Sequence, residues 1–180
     1  MTPSSTERFT LTMDELRAVV SFAAGCAERV LPEFEVEAPD DKRPRDALRA
    51  ATVFADGAPR TNELRTSAFA AHRASKTMTV EAAQLAALAC GDAAAAAYLH
   101  PIARATQVGH ILRAAACAAR VAELRADAEK PGGAGSVETL ARQAVSPVPD
   151  VLRRYPPAPS GNSHLARLMG MLDATIRARD

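Results

Sequence analysis

Apolar positions recur at helical spacing along most of the chain, and nowhere do they alternate as a half-buried strand requires. Thr12-Met13-Asp14-Glu15 has the form of a capping box, in which a Thr side chain and a Glu three residues later bond each other's main chain. Behind it Leu16, Val19, Val20, Ala23, Ala27, Val30 and Leu31 form one stripe, so a first helix is expected over about residues 13–31. Pro32 kinks or ends it, because proline lacks an N–H and crowds the preceding turn. The acidic residues 33–41 then lead to a second helix. Asp41 stands near its start, Pro44 sits in its first turn, and Leu48, Ala51, Val53 and Phe54 carry it to a stop at Asp56-Gly57.

Thr61 opens a third helix through Leu64, Ala68, Phe69 and His72, ending near Lys76. Thr79 is the expected cap of a fourth, which contains residues 82–99 with Asp92 as their only charge. Alanine is the best helix former and has little bulk, so this segment suits a central helix that neighbours approach closely on several sides. Gly91 within it costs about 1 kcal/mol relative to Ala, and a continuous helix to Leu99 is expected. Pro101 restarts the chain. A long amphipathic helix follows over about residues 102–128, with Val108, Ile111, Leu112, Ala115, Ala119, Ala122 and Leu124 opposite Arg104, Arg113, Arg120 and Arg125.

Lys130-Pro-Gly-Gly-Ala-Gly is the clearest linker. Beyond it come a short helix over residues 137–145, a turn over residues 151–155, and a final helix capped by Asn162 or Ser163 and carrying Leu165, Leu168, Met169, Leu172 and Ile176. The expected fold is all-α: a single-domain bundle of about six to seven helices around the alanine-rich one. Residues 13–129 form its core bundle, and residues 130–180 a linker and helical tail packed on it.

Composition sharpens this picture. A chain of 180 residues suffices for one self-sufficient core, and with 4% aromatic residues and no Trp that core is built from Ala, Leu and Val. The net charge of +1 supplies no field for nucleic acid or an anionic membrane, so neither is an expected partner. Residues 82–99 approach the length of a membrane span, but Asp92 near the centre would cost about 2.5–3.5 kcal/mol on insertion scales. The first residues lack a basic stretch followed by an apolar one, and Cys26, Cys90 and Cys117 are odd in number, widely spaced and set in apolar text. Reduced, buried thiols in a cytoplasmic protein are expected.

The densest charged segment comprises Glu33, Glu35, Glu37, Asp40, Asp41, Lys42, Arg43, Arg45 and Asp46. Between helices, with Pro39 and Pro44 at its flanks, it reads first as a solvated loop. A partner-binding surface there would rest on Asp40, Asp41, Arg43 and Arg45, since arginine pairs carboxylates bidentately and is common at interface hot spots. Clustered carboxylates also suit a divalent cation in principle, but no metal or cofactor is expected. None of His72, His100, His110 and His164 has a second ligand at zinc-like spacing. His110 and Cys117 share a helix face seven residues apart, too far to bond, so no catalytic pair is assigned. His100 precedes Pro101, where its ring can bond open carbonyls of the helix before it. His72, His100 and His110 are candidate linings of a pocket between helices. The glycines after Pro131 lack the Lys and Ser/Thr of a phosphate loop, and Arg153-Arg154-Tyr155 is too small for a nucleic-acid patch.

The segment CAERVLPEFEVEAPDDKRPRDALRAATVFADG resembles the opening of the Imm-5-like immunity proteins of bacteria, in which a Cys-Ala-Glu-Arg helix leads to a DD-x-RP-R turn and a second helix. AAHRASKT, ACGDAAAAAYLH and HILRAAACAARVAEL resemble that family's third to fifth helices, and VPDVLRRYPPAP its proline-rich tail. The likeness covers roughly residues 16–158, and the DDKRPR turn is its distinctive part. Gly91-Asp92 departs from the pattern, which more often has Gly-His there. The resemblance implies an all-helical protein whose partner is a cognate protein toxin that it neutralises. Members have also carried an exonuclease-subunit label, for which this chain has neither a phosphate loop nor carboxylates at metal spacing. The alternative from another class is a helical small-molecule-binding protein or enzyme with its pocket between helices. Alanine faces serve an intramolecular bundle and a homodimer equally well.

Overall fold

A computed structural model describes residues 8–129 and 136–179. Nine α-helices account for most of the described residues, with no strand among them beyond one isolated antiparallel bridge from Arg8 to Ile102. They are α1 (Met13–Glu28), α2 (Leu31–Glu37), α3 (Arg43–Ala55), α4 (Asn62–Ser75), α5 (Glu81–Ala95), α6 (Val108–Glu129), α7 (Val137–Gln143), α8 (Val148–Arg153) and α9 (His164–Arg177). One hydrophobic core runs through all of them.

The alanine-rich segment is the centre of that core. Helix α5 packs against α1, α2, α3, α4 and α6, and its residues from Ala83 to Ala94 are mostly sealed from solvent. Small side chains allow this, because the distance between helix axes is set by what stands between them. The chain passes Gly91-Asp92 without a break, then tightens into a 3-10 turn at Ala96–Tyr98 instead of staying α-helical to Leu99.

Local chemistry explains most of the boundaries. The Thr12 capping box forms at α1, with Glu15 N donating to Thr12 Oγ1 at 3.2 Å and Thr12 N to Glu15 Oε2 at 2.8 Å. The first part of the acidic stretch is helical, and only residues 38–42 form a loop: Leu31 and Phe34 are buried and anchor α2, and Pro32 falls in its first turn, where a missing N–H costs nothing. Thr79 does not cap α5. Val80 holds that position without a side-chain bond, and Gln84 steadies the entry by donating Nε2 to the Met78 carbonyl at 2.6 Å. Helix α6 starts at Val108, later than Pro101 alone suggests, behind a tight turn and the 3-10 helix Ala105–Gln107.

The linker at residues 130–135 lies outside the described residues. After it, α9 packs along α6 and α7 through buried Leu168, Leu172 and Ile176, and Ser163 caps it by accepting from Ala166 N at 3.1 Å. Asp173 of α9, 4% exposed, accepts from Ala158 N at 2.9 Å and from Arg177 Nε at 2.7 Å, which fastens the proline-rich segment to the bundle.

Candidate functional site

The one charge in the alanine helix is a junction between three helices. Asp92 is 2% exposed. Arg113 of α6 donates Nε to Asp92 Oδ2 at 2.6 Å and Nη2 to Oδ1, and His72 of α4 places Nε2 3.0 Å from Oδ1. Burial alone would raise the Asp92 carboxyl, but the Arg113 guanidinium and the His72 imidazole outweigh it and hold the group below its ordinary range. The same pairing raises Arg113. Gly91 is the reason His72 can reach: a Cβ there would lie 2.3 Å from His72 Cδ2 and 3.0 Å from the Ala68 carbonyl oxygen. The mid-helix glycine exchanges helix propensity for a ring seated against the backbone.

Beside this cluster lies a half-open cavity of about 230 Å³ between α4, α5 and α6, lined among others by Arg65, Phe69, His72, Tyr98, His110 and Arg113. Arg65 lies over the Tyr98 ring, 4.9 Å from its centroid, and Arg60 flanks the same ring at 5.5 Å. Burial and the neighbouring Arg113 charge push the His110 imidazole down, which favours its neutral form. His72 and His110 are therefore brought together at this cavity, whereas His100 is not among its lining residues. Its exposed side chain does not cap the preceding helix as expected. The main chain of His100 is bonded instead, its N donating to Gln107 Oε1 at 2.9 Å and its carbonyl accepting from Tyr155 OH at 2.9 Å.

The second candidate is the corner between α2 and α3, which carries Asp40, Asp41, Arg43 and Arg45. Arg43 grips Asp41 bidentately, Nε to Oδ1 at 2.9 Å and Nη2 to Oδ2 at 2.6 Å, while Asp41 Oδ1 also accepts from Arg43 N at 3.1 Å. Arg45 grips Glu35 in the same way at 2.6 and 2.7 Å. These guanidinium bonds hold the Glu35 and Asp41 carboxyls below their ordinary values. The arginine side chains remain 38% and 57% exposed, Asp40 faces solvent, and Val36 of α2 is 78% exposed.

Other candidates are absorbed by the fold. Cys26, Cys90 and Cys117 are buried, and desolvation pushes the first two thiols up to about 12 and the third well above its ordinary value. They stay protonated at neutral pH and are poor nucleophiles. Arg153 pairs with Asp150, Arg154 reaches Glu15 and the Thr10 carbonyl, and Tyr155 bonds His100. Among the described residues no group of three or more His, Cys, Asp or Glu side chains could hold a metal ion, and no helix is long and apolar enough to cross a membrane.

The Asp92 junction is the feature that sequence reasoning passed over. The signal was present: a lone carboxylate inside a charge-free helix must find a cation, because an unpaired buried charge is prohibitively costly. Which cation answers it is a tertiary fact.

The class these features define is an all-helical bundle built around one alanine-rich helix and locked by a buried acid–base cluster. Within that class, the model of the family described as Imm-5 like putative immunity protein matches residues 10–131, from the approach to α1 through the whole of α6. The chain belongs to that family. Neither a curated protein nor a solved structure matches it.

Proposed function

We propose that this protein is an immunity protein that binds a cognate protein toxin and neutralises it, and that the toxin docks on the α2–α3 corner. The observation that supports immunity is the family match over residues 10–131. The corner is favoured by its side chains. Arg43 and Arg45 are held in bidentate pairs and still exposed, so a partner meets guanidinium groups that are already ordered. Association then loses less side-chain entropy than it would on free arginines. Val36 of α2, 78% exposed, adds apolar area that a partner can bury.

A growth assay tests both halves. A toxin encoded beside this gene arrests growth when expressed alone, and co-expression of this protein restores it. The double variant Arg43→Glu/Arg45→Glu loses protection, with affinity falling by about a hundredfold or more, while its helical circular dichroism is retained. Failure of the wild type to protect against any neighbouring toxin contradicts immunity. Full protection by the folded double variant removes the corner from the account and leaves toxin binding to another face.

A further inference from the structure

We propose that the cavity between α4, α5 and α6 is a binding site for a small aryl carboxylate: a flat apolar body carrying one anionic group. The walls supply the apolar half. Phe69 is a large ring left 58% exposed at the cavity, and Tyr98 forms part of the lining. An exposed aromatic on a concave surface is apolar area that a flat ligand covers at little entropic cost, because the ring has few rotamers to lose.

The anionic half follows from charge accounting around the same cavity. Arg113 is matched by Asp92, but Arg65, which lines the cavity and stacks on Tyr98, forms no ion pair among the described residues, while Arg60 on the same ring lies outside the lining and donates Nη1 to the Ala97 carbonyl at 3.0 Å. Around the cavity two arginines, Arg65 and Arg113, therefore stand against one carboxylate, Asp92. Asp92 occupies Nε and Nη2 of Arg113, so its Nη1 edge is the one left for a ligand. The His72–Asp92–Arg113 bonds fix the guanidinium before anything arrives, which is what orients a bidentate or charge-assisted contact. A volume of about 230 Å³ sits below the range of drug-sized pockets and suits a single ring with a short acid arm. This inference does not depend on toxin binding, which was placed on the α2–α3 corner.

The test is a proton NMR titration of the whole protein, read at the four histidine rings, with phenylacetate, benzoate and 4-hydroxybenzoate as probes. His72 and His110 line the cavity, whereas His164 lies on α9 against Glu123, so its ring serves as the internal control. At least one probe is expected to move the His72 and His110 resonances saturably at millimolar concentration or below, with the matching amide and acetate each weaker by about tenfold or more. Arg65→Met weakens the same probe by about tenfold. Phe69→Ala, at a mostly exposed position, weakens it as well, and both variants keep the wild-type melting profile. Absence of a saturable shift with all three acids overturns the proposal. So does equal binding of the amide, or undiminished binding by folded Arg65→Met.

Discussion

A Cβ on residue 91 would stand 2.3 Å from His72 Cδ2, so the smallest possible side-chain change at this position is felt as a loss of the His72–Asp92 bond. Gly91→Ala should gain about 1 kcal/mol of helix propensity and forfeit about 1.5–3 kcal/mol from a charge-assisted bond. Denaturant melts should show a net loss of about 1 kcal/mol. In a His72→Ala background the same substitution should be neutral or stabilising. An equal penalty in both backgrounds would show that the ring is not what the glycine accommodates. The partners of the buried acid should also be unequal. Arg113→Met leaves Asp92 sealed from water with only His72, and is expected to cost about 3–5 kcal/mol. Asp92→Asn leaves an arginine that is 41% exposed and can turn to solvent, so its cost should be smaller, about 1–3 kcal/mol. The reverse order in chemical denaturation would contradict a buried Asp92.

Beyond apolar packing against α8, helix α1 is tied to the C-terminal helices through Glu15. Glu15 closes the α1 capping box and also accepts from Arg154, just past α8. The Arg154 bond, then the Thr12 main-chain bond, pull its carboxyl from 4.5 to about 2. Between those values the unfolded chain binds a proton that the folded one refuses, so stability from this group is complete above pH 4.5 and fades as pH falls toward 2. Arg154→Met should flatten this part of the stability profile, and an unchanged acid limb in thermal melts at successive pH values would contradict it. The long helices were legible because their apolar stripes run for several turns, but their ends were not: α1 stops at Glu28 before Val30 and Leu31, α5 gives way to a 3-10 turn after Ala95, and α6 starts at Val108 and not at Ile102. Helix α2 was not, because its buried anchors Leu31 and Phe34 are interspersed with acids that read as loop. Val53 and Phe69 extend their stripes in sequence, yet at 53% and 58% exposure they lie beyond the width that neighbouring helices cover.

Across the whole molecule, the helices beyond the family match complete the core that the match begins. Leu168, Leu172 and Ile176 of α9 are buried, and at about 1.5–3 kcal/mol each their contribution is comparable to the entire stability of a domain, about 5–15 kcal/mol. Removing residues 136–180 should therefore abolish a cooperative thermal transition while leaving substantial helix by circular dichroism, and a sharp melt in the truncated protein would contradict this. The candidate surfaces were legible to different degrees for the same reason. Asp40, Asp41, Arg43 and Arg45 are neighbours in sequence, so their corner could be named from sequence. The cavity assembles His72 of α4, Tyr98 of the 3-10 turn, and His110 and Arg113 of α6, and only packing shows that His100 is not part of its lining. The central claim is that this family member acts by direct contact with a toxin. The most direct measurement is calorimetric titration of the purified protein with an inactive form of any toxin found encoded beside its gene. The account predicts saturable, equimolar binding that Arg43→Glu/Arg45→Glu weakens by about a hundredfold or more. The absence of binding to that toxin, while this protein still protects cells from it, would contradict direct neutralisation.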